Sequence, residues 1–234
     1  MDGVLLIDKA TKMTSHDVVA LVRRVLGIRK VGHCGTLDPL ATGLLMLTIG
    51  RGTKIQDLLM SEDKEYSGTM KLGIITDSQD AEGKILERHP VPSFDQSVLE
   101  AAFRKYDGDF YQIPPMISAI KKEGVPLYKL ARAGKIIERE PRFVRVYAHQ
   151  ILAQRDEEID FRVVCSKGFY VRTYVHDIGG DLGCGAYLQS LRRIKSGRFC
   201  VDGAFQAALL KETSRDLLAS RIISLPEISR LRGA

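Results

Sequence analysis

The sequence predicts an α+β fold. Strand-like runs and amphipathic helical segments are mixed along the chain, and they lack the strict strand-helix-strand alternation that marks a parallel α/β sheet. The 234 residues are 44% hydrophobic, enough to bury a substantial core. No repeat, linker or low-complexity tract divides them. One domain over residues 1–234 is therefore expected, with a basic, proline-bounded insertion at about residues 112–142.

The elements follow in order. Gly3 to Ile7 is a short apolar run of strand length. Thr14-Ser15-His16-Asp17 then opens a helix, because Thr14 and an acid three residues on form a capping-box pattern. Val18, Leu21, Val22 and Val25 give that helix an apolar stripe, and Gly27 suits its end. Glycines place Gly32 to Gly43 on a loop before the strand-like run Leu44 to Ile49. A short helix is expected near Thr53 to Leu59. Next comes a strand from Glu65 to Leu72, with Tyr66, Gly68, Met70 and Leu72 on one face. Asp77 to Gly83 is rich in turn residues, and Ser97 to Tyr106 has helical spacing. Gln112 to Pro115 must be extended, since proline lacks a donor and restricts its neighbour. Lys121 to Gly134 is basic and partly helical. Phe143 to Ala153 and Ile159 to Cys165 read as paired strands, and Arg172 to Leu182 and Tyr187 to Arg193 as helical segments ending in a basic turn.

Composition narrows the function classes. The longest apolar runs, such as Leu44 to Ile49, are far too short to span a bilayer, and Met1-Asp2-Gly3 does not begin a signal peptide. A cytoplasmic protein without a membrane partner is expected. Cys34, Cys165, Cys184 and Cys200 include no C-x-x-C pair and no histidine at ligand spacing, so neither a disulfide scaffold nor a metal site is indicated. Lys plus Arg exceed Asp plus Glu by 35 to 29, giving +6, which is compatible with a polyanionic partner. The cations cluster at Arg23, Arg24, Arg29 and Lys30, across Lys121 to Arg145, and at Arg192, Arg193, Lys195 and Arg198. Solvated faces would produce the same clusters.

The stretch with most chemical content is His33-Cys34-Gly35-Thr36-Leu37-Asp38-Pro39-Leu40-Ala41-Thr42-Gly43, in which glycines frame an acid that precedes a proline. This spacing describes an exposed, geometrically fixed carboxylate; it also describes an ordinary Asp-Pro turn. Three other motifs fail on spacing. Gly50-Arg51-Gly52-Thr53-Lys54 lacks the spacer of a phosphate loop. Ser15-His16-Asp17 are helix neighbours pointing in different directions, which no catalytic triad tolerates. An aspartyl phosphatase wants a second Asp where Thr36 stands.

From Lys30-Val31-Gly32 through Asp38-Pro39-Leu40-Ala41-Thr42-Gly43, the chain resembles the signature of the TruB family of tRNA pseudouridine-55 synthases. Further matching segments occur in order: Lys64-Glu65-Tyr66, Gln112 to Lys121, Cys165 to Thr173, Leu182 to Leu188, and Leu191-Arg192-Arg193. The resemblance spans roughly residues 3–200. It implies the pseudouridine synthase fold, a mixed, largely antiparallel central sheet flanked by helices, with an insertion that grips RNA.

The resemblance also implies roles. Asp38 corresponds to the catalytic carboxylate, acting at C6 of the uracil, at C1′ of the ribose, or through a glycal. Arg172 corresponds to an active-site arginine that would keep such a carboxylate ionised and oriented. Tyr66 corresponds to a tyrosine that stacks on the target base and assists removal of the C5 proton. Leu191 matches an apolar pocket wall, and His33 a histidine that fills the space left by a flipped base. Lys121, Lys122, Lys129 and Arg132 in the insertion are suited to phosphates of the tRNA T-arm. The isomerisation consumes no redox equivalents or nucleotide energy, so no cofactor and no metal is implied. A monomer acting without guide RNA is expected.

The chain departs from many bacterial members in stopping at Ala234, so no separate C-terminal PUA domain is expected. Cys34 and Phe169 stand where the family often has smaller or hydroxyl-bearing residues. The guide-RNA-dependent branch resembles Asp-Pro-Lys-Val-Thr-Gly where this chain has Asp38-Pro39-Leu40-Ala41-Thr42-Gly43, which favours the stand-alone form. A non-catalytic tRNA-binding or folding protein would be expected to lack Asp38, Tyr66 or Arg172, and all three are present.

Overall fold

Alternation and capping decide the first elements. In the computed structural model, which describes residues 1–118, 121–122, 125–126 and 137–233, the apolar run at the N-terminus is strand β1 (Gly3–Lys9). The capping box opens α1 (Ser15–Leu26): Thr14 Oγ1 accepts from the Asp17 N–H at 3.1 Å, and Asp17 Oδ2 accepts from the Thr14 N–H at 2.8 Å. Gly27 ends the helix at φ +67°, a left-handed conformation that costs glycine nothing. The buried stripe of α1 is Val18, Val19, Val22 and Leu26, with Leu21 and Val25 only half-buried. The expected loop from Gly32 is shortened at both ends, because Val31–His33 forms β2 and β3 begins at Thr42 (Thr42–Ile49). A 3-10 turn, Gly50–Ile55, leads into α2 (Gln56–Met60).

The expected period of two holds in β4 (Lys64–Leu72), where Lys64, Tyr66, Gly68, Met70 and Leu72 are buried. Then come β5 (Ile74–Thr76), β6 (Ile85–Arg88), α3 (Gln96–Arg104) and β7 (Gly108–Gln112). After the short pair β8 (Lys121–Lys122) and β9 (Val125–Pro126) run β10 (Arg142–Arg155), β11 (Glu158–Cys165) and α4 (Val171–Asp181). Lys121 and Lys122 are described by their backbone alone, and Lys129 and Arg132 lie outside the described residues.

Residues Tyr187 to Arg193, expected as helix, are instead part of strand β12 (Ala186–Ser196). Gly183 and Gly185 take φ +77° and +71° and stop the preceding helix. Beyond them Ala186 and Leu188 are buried while Tyr187 and Gln189 are half-buried, a period of two that the leucine spacing had masked. The chain ends with β13 (Phe199–Cys200), β14 (Phe205–Gln206), α5 (Arg215–Ser220), β15 (Ile223–Ser224) and α6 (Leu225–Arg232). No helix among the described residues is long and apolar enough to cross a membrane.

These elements form two units, Met1–Tyr66 with Arg192–Ala234, and Ser67–Leu191; the chain passes between them inside β4 and β12. In the first, β3 pairs antiparallel with β1, from Gly3↔Ile49 to Lys9↔Gly43, and with β2. Parallel pairing joins β1 to β14 and β3 to β12, the latter at Arg192↔Thr42 and Arg193↔Gly43. Its core includes Val4, Leu44, Met46, Leu59, Phe199 and Ile228. In the second, β10 pairs antiparallel with β11 and β7. Helices α3 and α4 cover that sheet, with Phe103 set 6.0 Å from Phe161 and 5.8 Å from Tyr174 between ring centroids. The fold is thus mixed α+β with a mostly antiparallel sheet and flanking helices, as the sequence predicts.

Phe103 is fully buried among Phe161, Tyr174 and His149. Phe103→Ala should therefore lower unfolding free energy by about 3–5 kcal/mol. Urea denaturation measures it, and a loss below about 1 kcal/mol would contradict this packing.

Candidate active site

Asp38 stands, half-buried, on a segment without strand or helix pairing of its own, so its place depends on bonds from outside the segment. Asp38 to Ala41 forms a turn closed by the Ala41 N–H donating to the Asp38 carbonyl at 3.0 Å, with Pro39 at the position where its fixed φ suits a turn. Because the main chain closes the turn, the carboxylate is not needed for that purpose. The middle of the segment is held by Ser15 at the start of α1. Its hydroxyl accepts from the Leu37 N–H at 2.9 Å and donates to the Leu37 carbonyl at 3.2 Å. The far side is held by the β1–α1 connection: the Pro39 carbonyl accepts from the Lys12 N–H at 2.9 Å and from Lys9 Nζ at 3.4 Å. Lys9 is fully buried and also donates to the carbonyls of Ala10 and Met13. The near side is tied to β3 by the Cys34 N–H, which donates to the Met46 carbonyl at 2.9 Å.

His33 ends β2, at the entry to the same segment, and its ring lies edge-on to His16 at 5.5 Å between centroids. Burial, with the neighbouring His16 and Arg193, holds its imidazole below the usual range, which keeps it neutral at pH 7. Burial pushes the Cys34 thiol up to about 12, so Cys34 stays protonated and is no nucleophile. Tyr66 is buried on β4 in the same unit.

Arg172 and Leu191 belong to the other unit, Leu191 half-buried on β12. Arg172 opens α4 and is 95% buried. Its guanidinium donates to the carbonyls of Ser78 at 2.8 Å and Ile117 at 2.7 Å, and Nε lies 3.6 Å from an oxygen of buried Asp80. Asp80 in turn accepts from Ser78 Oγ at 2.5 Å and the Glu82 N–H at 3.0 Å. The residue capping α4, Tyr170, is clamped from both sides by the Gln112 amide. Its N–H donates to Gln112 Oε1 at 2.8 Å, and its carbonyl accepts from Gln112 Nε2 at 3.1 Å. These bonds set the guanidinium plane before any substrate arrives.

Within the first unit, then, Asp38 and His33 share one pinned segment. The sequence points to both, but not to their supports Ser15, Lys9 and Arg193, nor to Ser78, Asp80 and Gln112 around Arg172. The third basic cluster is largely absorbed internally. Arg192 forms a two-pronged ion pair with Asp8 at 2.7 and 2.9 Å, Arg193 is buried, and Lys195 lies 3.5 Å from Glu65. Among the described residues, no group of three or more His, Cys, Asp or Glu side chains could hold a metal ion.

Known proteins resemble this chain over most of its length. Residues 23–171 match the family model described as TruB family pseudouridylate synthase (N terminal domain), and residues 172–223 match that of the tRNA pseudouridylate synthase B C-terminal domain. The tRNA pseudouridine synthase B of Opitutus terrae is 50% identical over 230 residues, 98% of this chain and 91% of the relative. That of Syntrophotalea carbinolica is 45% identical over 98% of this chain and 75% of its own length. Among solved structures, a chain of the Cbf5-Nop10-Gar1 complex matches with a TM-score of 0.75 at 26% identity, over 98% of this chain and 62% of that one. This chain therefore spans less than two thirds of that solved chain. On these matches and the motifs they cover, the chain belongs to the TruB family of pseudouridylate synthases, which are isomerases.

Proposed function

We propose that this protein converts uridine 55 in the T-loop of tRNA to pseudouridine, acting as a cytoplasmic monomer with Asp38 as the catalytic carboxylate. The observation that carries this reading is the pinned Asp38 segment, which lies inside the residues matched by the family model. The relatives named tRNA pseudouridine synthase B supply the substrate class. In the reaction the N1–C1′ bond breaks, the base turns, and a C5–C1′ bond forms while C5 loses a proton and N1 gains one. A carboxylate assists by adding at C6 or C1′, or by promoting a glycal.

Tyr66 would stack on the base and assist the C5 proton's departure, and Leu191 would shield the intermediate from water. Arg172, preset by its bonds to Ser78 and Ile117, would act as an orienting guanidinium. The target must leave the T-loop stack, and a neutral His33 ring can fill the vacated space at little desolvation cost. Lys121, Lys122, Lys129 and Arg132 would hold T-arm phosphates. Action without guide RNA is supported by the 50% identity to a synthase B, against 26% to the Cbf5 complex chain.

Asp38→Asn is nearly isosteric and should leave T-arm binding within about threefold while lowering the single-turnover rate at least ~1000-fold. Turnover within tenfold of the parent, in a preparation free of contaminating synthase, would end the assignment. Arg172→Lys should lose most of the rate, because an ammonium cannot make the planar fork's separate contacts with Ser78, Ile117 and Asp80. A near-normal single-turnover rate would rule that out. Neutralising Lys129 and Arg132 together should weaken T-arm binding and reduce the log–log salt slope by about 2. The saturated rate should not change; a salt series that leaves the slope at its parental value removes these residues from the phosphate interface.

A further inference from the structure

Arg193 is among the largest fully buried side chains in the chain, at 1% exposure. Taking a guanidinium out of water is costly unless fixed acceptors replace its hydration, and a hydrophobic side chain of similar volume avoids the cost. Among the described residues its hydrogen bonds go to no carboxylate. Nε donates to the Leu44 carbonyl at 2.6 Å, and Nη2 donates to the Gly35 carbonyl at 3.2 Å. Gly35 lies near the start of the segment that carries Asp38, and Leu44 lies in β3 just beyond its end. One planar group thus staples that segment shut at its neck.

The main chain of the same residue makes a second grip. Arg193 pairs in parallel register with Gly43, which has φ +94°, and a Cβ built on Gly43 would lie 2.3 Å from the Arg193 carbonyl oxygen. No side chain fits there without moving the strand. Gly35, at φ +86°, would bring a Cβ to 3.3 Å from Nη1, so the guanidinium also fills the space beside the segment's first glycine. The Arg193 main chain thus requires glycine at position 43.

We propose that Arg193 is a positioning residue for catalysis, whose guanidinium closes the neck of the Asp38 segment and fixes where the carboxylate stands. The catalytic part of this proposal rests on the Asp38 reading; the structural part does not. Lysine keeps the charge but offers one flexible ammonium in place of two fixed donors, so it restores less than the full staple.

The test uses the full chain with Arg193→Met and Arg193→Lys, a T-arm hairpin transcript as substrate, and amide hydrogen exchange followed by mass spectrometry. In both variants exchange should rise roughly tenfold in the peptide covering residues 34–41, while β1 and α1 keep parental protection. Hairpin affinity should stay within about threefold, and the saturating single-turnover rate should fall ~100-fold in Arg193→Met and less in Arg193→Lys. If Arg193→Met does not fold, Arg193→Lys alone carries the same readouts. Parental exchange in the segment, or equal loss of protection across β1 and α1, would overturn the positioning role. A loosened segment with an unchanged rate would support the staple and count instead against Asp38 as the catalyst.

Discussion

A main chain that leaves regular structure must still find partners for its donors and acceptors, and residues 34–41 meet much of that demand from outside themselves. The Cys34 N–H goes to β3, both main-chain groups of Leu37 go to Ser15, and the Pro39 carbonyl is shared by Lys12 and Lys9. The Leu40 carbonyl accepts from Thr11 Oγ1 at 3.3 Å, and the Gly35 carbonyl accepts from Arg193. Strand β1, helix α1 and strand β12 are therefore all needed to define one short segment. Ser15 can serve it only because the Thr14–Asp17 capping box fixes where α1 starts, so a local helix signal becomes a long-range restraint.

The same supports shape the electrostatics. Two buried cations, Lys9 and Arg193, donate to main-chain carbonyls, whose dipoles take up part of their charge. Burial keeps Cys34 a thiol against the opposing pull of Arg193, and burial with His16 and Arg193 keeps His33 a neutral imidazole. A neutral ring and a protonated thiol beside Asp38 add no charge of their own to this segment.

How much of this was legible depended on distance along the chain. The limits of α1 could be read because Thr14, Asp17 and Gly27 act within a few residues of themselves, and the buried face of β4 because alternation is local. Asp38 stood out for the same reason. Strand β12 was misread because Leu188 and Leu191 match a helical spacing, while the deciding facts were the left-handed Gly185 and pairing with β3, more than a hundred residues away. The cluster Arg192-Arg193-Lys195 was read as a basic turn because sequence gives charge without depth. Asp8, the Gly35 and Leu44 carbonyls, and Glu65 absorb it from remote positions.

Distance likewise hid what holds Arg172, and part of the answer lies between residues 112 and 117. Strand β7 ends at Gln112, whose buried amide clamps Tyr170 two residues before the arginine, and the Ile117 carbonyl accepts from its guanidinium. The same stretch is also bonded elsewhere: Arg139 donates to the Pro114 carbonyl at 3.0 Å, and Gln112 pairs with Arg142 across β7 and β10. Gln112 and Ile117 thus both help to hold Arg172 in place. Pro114 and Pro115, both buried, hold Ile113 and Pro114 to extended conformations and so limit the freedom of this stretch.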